Sequence, residues 1–213
     1  MKRAGRLVSV GLAGILTISS LSNVSCTPAW IPLGEVSRLE QESRISGYIA
    51  GFEGMQPFSG YRIKGLVDRV SDVGIAGAAT TGNPFAHLSY AKKAHENNKL
   101  VYVIGYSSGG NDARAFAELC KSKGIPIRTL ILLDPTWLAR PLPAKIPDNV
   151  EKVVCYMSSD EGSVYGVRAT TEHLENTKKT FLMPAKSFYV GHLDLPDAVS
   201  GYVKAEILEI SRR

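Results

Sequence analysis

Apolar positions along the chain fall into short unbroken runs, separated by stretches with helical spacing. Ile45 to Phe52 is the first run; it ends in Gly51-Phe52-Glu53-Gly54 and reads as a buried strand entering a Gly-rich loop. Tyr61 to Val73 places Ile63, Leu66, Val67 and Val70 on one helical face. Ile75 to Thr80 is small and apolar, a second strand. Asn83-Pro84 opens a helix from about Phe85 to Asn97, with Phe85, Leu88, Ala91 and Ala94 on one side. Leu100 to Ile104 is apolar throughout, as expected of a central parallel strand covered on both faces. After Gly105–Gly110, a helix from about Asp112 to Lys123 carries Ala115, Phe116, Leu119 and Cys120, and Gly124 stops it.

Thr129–Leu133 is the next buried strand and ends at Asp134-Pro135. Pro135 to Val150, with Trp137 and Leu138, is the longest irregular stretch; it reads as part of a pocket or as packing over the sheet edge. Lys152 to Met157 is another strand, ending in Ser158-Ser159-Asp160, and Lys179 to Met183 another. Leu195 to Arg212 closes the chain as one amphipathic helix. Strands alternating with helices predict a three-layer α/β domain over residues 45–213, with a mainly parallel sheet. Right-handed crossovers bring the strand C-termini to one edge, where ligands bind on such sheets.

Composition removes several classes. With 44% hydrophobic and 21% charged residues, the chain reads as neither disordered nor polytopic in a membrane. Its net charge of +5 comes from 25 Lys+Arg against 20 Asp+Glu. Three of those positives, Lys2, Arg3 and Arg6, lie in the acid-free first 26 residues, leaving 22 against 20 in the rest. The basic balance is therefore partly a property of the leader, and no nucleic-acid partner is expected.

Residues 1–26 read as an export signal: a basic start, an uncharged apolar stretch from Leu7 to Leu21, and a small-residue exit. The apolar stretch is shorter than the about 20 residues of a membrane span. Export implies a periplasmic, secreted or membrane-anchored protein. Cys26, after Ser25, resembles a bacterial lipoprotein processing site, although Asn23 stands where an aliphatic residue is usual. A lipidated Cys26 would tether the protein to a membrane; the alternative is cleavage nearby, with Cys26 free or removed. Residues 27–44, with Pro28 and Pro32, form a lead-in. Cys120 and Cys155 could pair in an exported chain, but both lie in predicted elements and read more simply as core hydrophobes. No Cys/His spacing points to a metal.

Gly105-Tyr106-Ser107-Ser108-Gly109 matches G-x-S-x-G between an apolar strand and a helix. That setting is what a nucleophile turn requires: the two glycines let strand and helix approach closely, and Ser107 projects above the sheet. No Lys follows Gly110 and there is no G-x-G-x-x-G, so neither phosphate-binding loop is present. A serine hydroxyl needs a base. His192, late in the chain and just before the last helix, is the best placed of four histidines; His87, His95 and His173 read as surface residues. The base needs an acid to fix its tautomer. Asp134, directly ending an apolar strand, is preferred, and Asp160, in a looser Ser-Ser-Asp-Glu-Gly stretch, is the alternative.

On the Gly105–Gly109 turn, Gly191-His192 and the element order, residues 45–210 resemble the α/β-hydrolase superfamily, closest to its small thioesterase- and lipase-like members. The resemblance implies a serine hydrolase acting on a small-molecule acyl ester or thioester, with catalytic Ser107, His192 and Asp134 and no metal or organic cofactor. It also implies an oxyanion hole from two backbone N–H groups: Ser108 after the nucleophile, and Phe52 in the loop after the first strand. In thioesterase domains the acid commonly follows the strand after the nucleophile helix, where Asp134 lies; in many other hydrolases it comes one strand later, nearer Asp160. The early antiparallel strands of the superfamily look missing before Ile45. The competing class is a non-catalytic binding lipoprotein on the same fold.

Overall fold

The computed structural model describes residues 47–55, 61–71, 75–137, 144–159, 167–168, 174–175 and 180–211. The export leader with Cys26, the lead-in, Asp160 and His173 lie outside the described residues. Among the described residues, seven strands form the main sheet: β1 (Gly47–Phe52), β2 (Ile75–Thr80), β3 (Leu100–Tyr106), β4 (Thr129–Leu133), β5 (Lys152–Ser158), β6 (Phe181–Leu182) and β7 (Lys186–Phe188). Their order is β2-β1-β3-β4-β5, with β6 and β7 both pairing along the outer edge of β5, and every pairing is parallel. Helices α1 (Arg62–Ser71), α2 (Leu88–Glu96), α3 (Gly109–Ser122), α4 (Leu195–Ala198) and α5 (Ser200–Ser211) complete the three layers.

The unbroken apolar runs have their physical explanation in two cores, one on each face of the sheet. Successive strand side chains point to opposite faces. Val101 and Val103 of β3 therefore join Phe116, Ala117 and Cys120 of α3 on one side. Tyr102, Ile104 and Tyr106 join Leu66, Val70, Val203 and Ile207 on the other. Burying a side chain of this size contributes about 1.5–3 kcal/mol. The four buried residues of α1 therefore outweigh its exposed ion pairs, Arg62 and Arg69 with Asp197 (3.0 and 2.6 Å), each worth at most about 1 kcal/mol.

Chain direction across the sheet reverses between β1 and β3: β1 leads through α1 to β2 on one side, and β3 leads through α3 to β4 on the other. Loops leaving neighbouring strands in opposite directions open a crevice at the C-terminal edge. Glu53 follows one of these strands and Ser107 the other.

Several expectations need correction. Asn83-Pro84 starts a 3-10 turn, Pro84–His87, before α2 begins at Leu88. A 3-10 turn advances about 120° per residue instead of about 100°, so the α-helical phase does not extend back through it. Phe85 is consequently exposed and His87 is buried rather than on the surface. His95 is exposed as expected. The final helix is broken at Val199, ahead of Ser200 and Gly201, both poor helix formers. Thr136–Trp137 pairs antiparallel with Val167–Arg168, and Ala144–Lys145 pairs parallel with Leu174–Glu175, so the stretch after Asp134 carries short ladders. Cys120 and Cys155 are both buried thiols; burial pushes the Cys120 thiol up to about 12.

His87 stands between the Tyr48 hydroxyl at Nδ1 (2.7 Å) and Thr80 Oγ1 at Nε2 (2.9 Å), with Phe52 and Phe116 packed around it. Burial lowers its pKa from 6.5 to about 4, so the folded protein keeps it neutral. Its contribution to stability is complete above the unfolded value and is lost as pH falls toward 4, because the unfolded imidazole takes up a proton first. The loss is at most about 3 kcal/mol. Urea-derived stability of the wild type should therefore fall more steeply from pH 7 to pH 4.5 than that of His87→Gln. Equal slopes would exclude a neutral buried imidazole.

Candidate active site

Strand β3 delivers Ser107 and α3 carries the chain away. Ser107 adopts φ +52°, a conformation that non-glycine residues take only when their surroundings hold them there. Those surroundings are visible. Its N–H donates to Leu133 O (2.9 Å), and its own carbonyl accepts from Gly110 N–H (3.0 Å) and Thr136 N–H (3.1 Å). Helix α3 starts at Gly109, three residues earlier than the sequence pattern predicts, so its positive N-terminal end lies directly beyond Ser108. Both motif glycines are required by contact. A Cβ on Gly105 would lie 2.7 Å from Ala113 Cβ, and one on Gly109 would lie 2.3 Å from Glu53 O and 2.4 Å from Phe52 O.

Asp134 leaves β4 beside Ser107, because Tyr106 pairs with Leu133 across the ladder. It is fully buried and has φ +40°. Its carboxylate is held on both oxygens: Ser158 N–H donates to Oδ1 (2.8 Å), and His192 Nδ1 lies 2.9 Å from Oδ2. An ionised carboxylate only accepts, so Nδ1 is the donor in this contact. His192 opens the 3-10 turn His192–Asp194 that runs into α4, and its side chain is a quarter exposed. Ser107 Oγ lies 3.5 Å from Thr136 Oγ1.

Phe52 is the last residue of β1, opposite Thr80 and Gly105, with its ring in the core against His87 and Phe116. Glu53 N–H donates to Thr80 O (2.9 Å), so the chain leaves the sheet at Gly54. Ser108 stands at the start of α3 and is half-buried.

Three residues around the site carried no sequence signal. Thr136 is buried beside Ser107. Tyr106 stacks its ring on His192, with centroids 4.9 Å apart and planes at 27°. Glu53 turns its buried carboxylate onto the N-terminus of α1, accepting from Ile63 N–H (3.1 Å) and Lys64 N–H (2.8 Å). Burial raises the Glu53 pKa, while those two bonds pull it the other way. An acid capping a helix ten residues on has no local pattern to reveal it. Among the described residues no group of three His, Cys, Asp or Glu side chains converges as a metal site, and no helix is long and apolar enough to cross a membrane.

Gly109→Ala should destabilise the fold by at least about 2 kcal/mol, since its methyl meets two backbone carbonyls that cannot rotate away. Gly65→Ala, in the middle of α1 with its nearest neighbour at 3.7 Å, should instead be neutral or stabilising by up to about 1 kcal/mol. Urea unfolding of the two variants compares them; equal shifts would mean that the approach of α3 to β1 is loose.

No protein-family model matches the chain, and no curated protein sequence does. Solved structures do match. Est1E from Butyrivibrio proteoclasticus superposes with a TM-score of 0.52 at 14% identity, covering 82% of this chain and 92% of its own. RedJ, a thioesterase from the prodiginine biosynthetic pathway in Streptomyces coelicolor, gives 0.50 at 13% identity, covering 76% and 86%. A structure from the metagenome-derived lipolytic enzymes LipS and LipT gives 0.50 at 8% identity, covering 79% and 94%. With its parallel sheet, flanking helices and these neighbours, the chain has the α/β-hydrolase fold.

Proposed function

We propose that this protein is a serine hydrolase that cleaves a carboxylic ester or thioester by way of an acyl-enzyme. The observation that carries the reading is the 2.9 Å contact between His192 Nδ1 and Asp134 Oδ2, made at the strand end next to Ser107. In this scheme Ser107 Oγ forms a bond to the substrate carbonyl carbon while its proton passes to His192 Nε2. Asp134 holds the tautomer and stabilises the imidazolium. The carbonyl electron pair moves onto oxygen and is received by the backbone N–H groups of Ser108 and Phe52. Collapse of this intermediate breaks the bond to the alkoxide or thiolate, which takes the proton from His192. Water then attacks the acyl-enzyme by the same route, freeing the acid and restoring Ser107. No cofactor is called for.

RedJ is a thioesterase, and LipS and LipT are lipolytic, which supports acyl esters and thioesters as the substrate class. The partners held by both oxygens of the buried Asp134 support it over Asp160 as the acid. Turnover of p-nitrophenyl acyl esters and acyl thioesters, together with fluorophosphonate labelling, tests the scheme. Ser107→Ala should abolish both readouts, whereas Ser108→Ala should keep substantial turnover, because only its N–H is used. Asp134→Asn should lower kcat by at least about a hundredfold; a triad protease loses about 10⁴ for this change. Asp160→Asn should change it little. A dead Asp160→Asn with an active Asp134→Asn would move the acid one strand later.

The leader supports export, with Cys26 either the lipid-bearing terminus of a tethered protein or lost from a soluble one. Intact-mass analysis of protein from its native host should show removal of about the first 25 residues. Acyl mass on Cys26 would identify the anchor, and an intact Met1 would refute export.

A further inference from the structure

Asp134 alone does not fix the orientation of His192. The hydrogen bond at Nδ1 sets a direction for the imidazole but not the plane of its ring. His192 also sits on a short loop: Gly191 precedes it, and a single 3-10 turn, closed by Asp194 N–H to Gly191 O (3.1 Å), follows it. Tyr106 touches both the ring and the backbone of His192. Its ring lies against the imidazole face, with centroids 4.9 Å apart and planes at 27°. Its hydroxyl donates to the backbone carbonyl of His192 (2.9 Å), 86 residues away in sequence. The tyrosine is itself fully buried at the end of β3. Burial, then the nearby Asp134 carboxylate, raises its pKa far above the ordinary phenol range, so it donates at every working pH.

Resting on the hydrolase reading above, we propose that Tyr106 is a positioning residue for His192. It fixes the plane of the imidazole by stacking and the backbone of the base loop by its hydrogen bond. Because Tyr106 directly precedes Ser107, one strand end sets the positions of both nucleophile and base. Relative movement of the two then requires β3 itself to shift, and β3 is paired on both sides.

The test compares Tyr106→Phe, which keeps the stack and loses the hydrogen bond, with Tyr106→Leu, which loses both. Tyr102→Leu is the control. Tyr102 lies on the same face of the same strand, is equally buried, and donates from its hydroxyl to a backbone carbonyl, Ile207 O (3.4 Å), away from His192. With a p-nitrophenyl ester, Tyr106→Phe should lower kcat about three- to tenfold. Tyr106→Leu should lower it about a hundredfold, the scale of a misplaced catalytic group. KM should stay within about twofold in both, as expected when an interaction serves only the transition state. The rate of fluorophosphonate labelling at Ser107 should fall by the same factors. Tyr102→Leu should lower the melting temperature comparably while leaving kcat within about twofold. Equal losses of kcat in Tyr102→Leu and Tyr106→Leu, or a Tyr106→Leu effect confined to KM, would overturn the proposal. His192→Ala separates the two levels: wild-type labelling in that variant refutes the hydrolase reading itself. A dead His192→Ala beside a fully active Tyr106→Leu refutes only the positioning role.

Discussion

The register of β3 on β4 governs the C-terminal edge of the sheet. Tyr106 pairs with Leu133, so Ser107 and Asp134 leave their strands side by side, both with positive φ. A shift of one residue would turn every side chain of either strand to the other face. It would move Tyr106 away from His192 and bury the wrong half of the apolar run. Both faces of β3 and β4 are covered, so each side chain packs in the core on its own face, and the two hydrophobic cores fix the site geometry indirectly.

On the other side of β3, the constraint is contact between backbones. The carbonyls of Phe52 and Glu53 lie where a side chain on Gly109 would have to go, so the first turn of α3 packs directly on the exit of β1. Glu53 continues that connection. Its N–H joins β2 at Thr80 O, and its carboxylate caps α1. The turn that leaves β1 is thereby fixed to β2, α1 and α3 at once. A buried acid left without partners would cost several kcal/mol; two backbone N–H donors offset that cost and tie the helix to the loop.

The loop that carries His192 depends on a different kind of restraint. Leu195 and Val199 are buried in the core beneath it, while Asp197 meets Arg62 and Arg69 at the surface. The exposed ion pairs add little. Apolar anchorage just after His192 and the Tyr106 contacts at it give the loop its place. The region therefore combines a paired strand end with a short turn that takes its geometry from the scaffold.

Much of this was legible in the sequence. Ile75–Thr80 and Thr129–Leu133 form strands over the very residues that the apolar runs predict, and the strand–turn–helix setting of Gly105–Gly109 follows from local pattern. Asp134 stood out because an acid at the end of an apolar strand must emerge at the sheet edge. Phase and partnership were not legible. A 3-10 turn at Pro84 rotated Phe85 outward and His87 inward, and Val199 broke a helix whose periodicity looked continuous. Local pattern records which face of an element is apolar, and that is enough to set elements and layers. It does not record which residue 86 positions away will meet a given side chain. The stacking of Tyr106 on His192, the capping of α1 by Glu53 and the burial of His87 between Tyr48 and Thr80 each join residues from separate elements. Those contacts exist only once both cores have closed and the strand register has fixed where each side chain points.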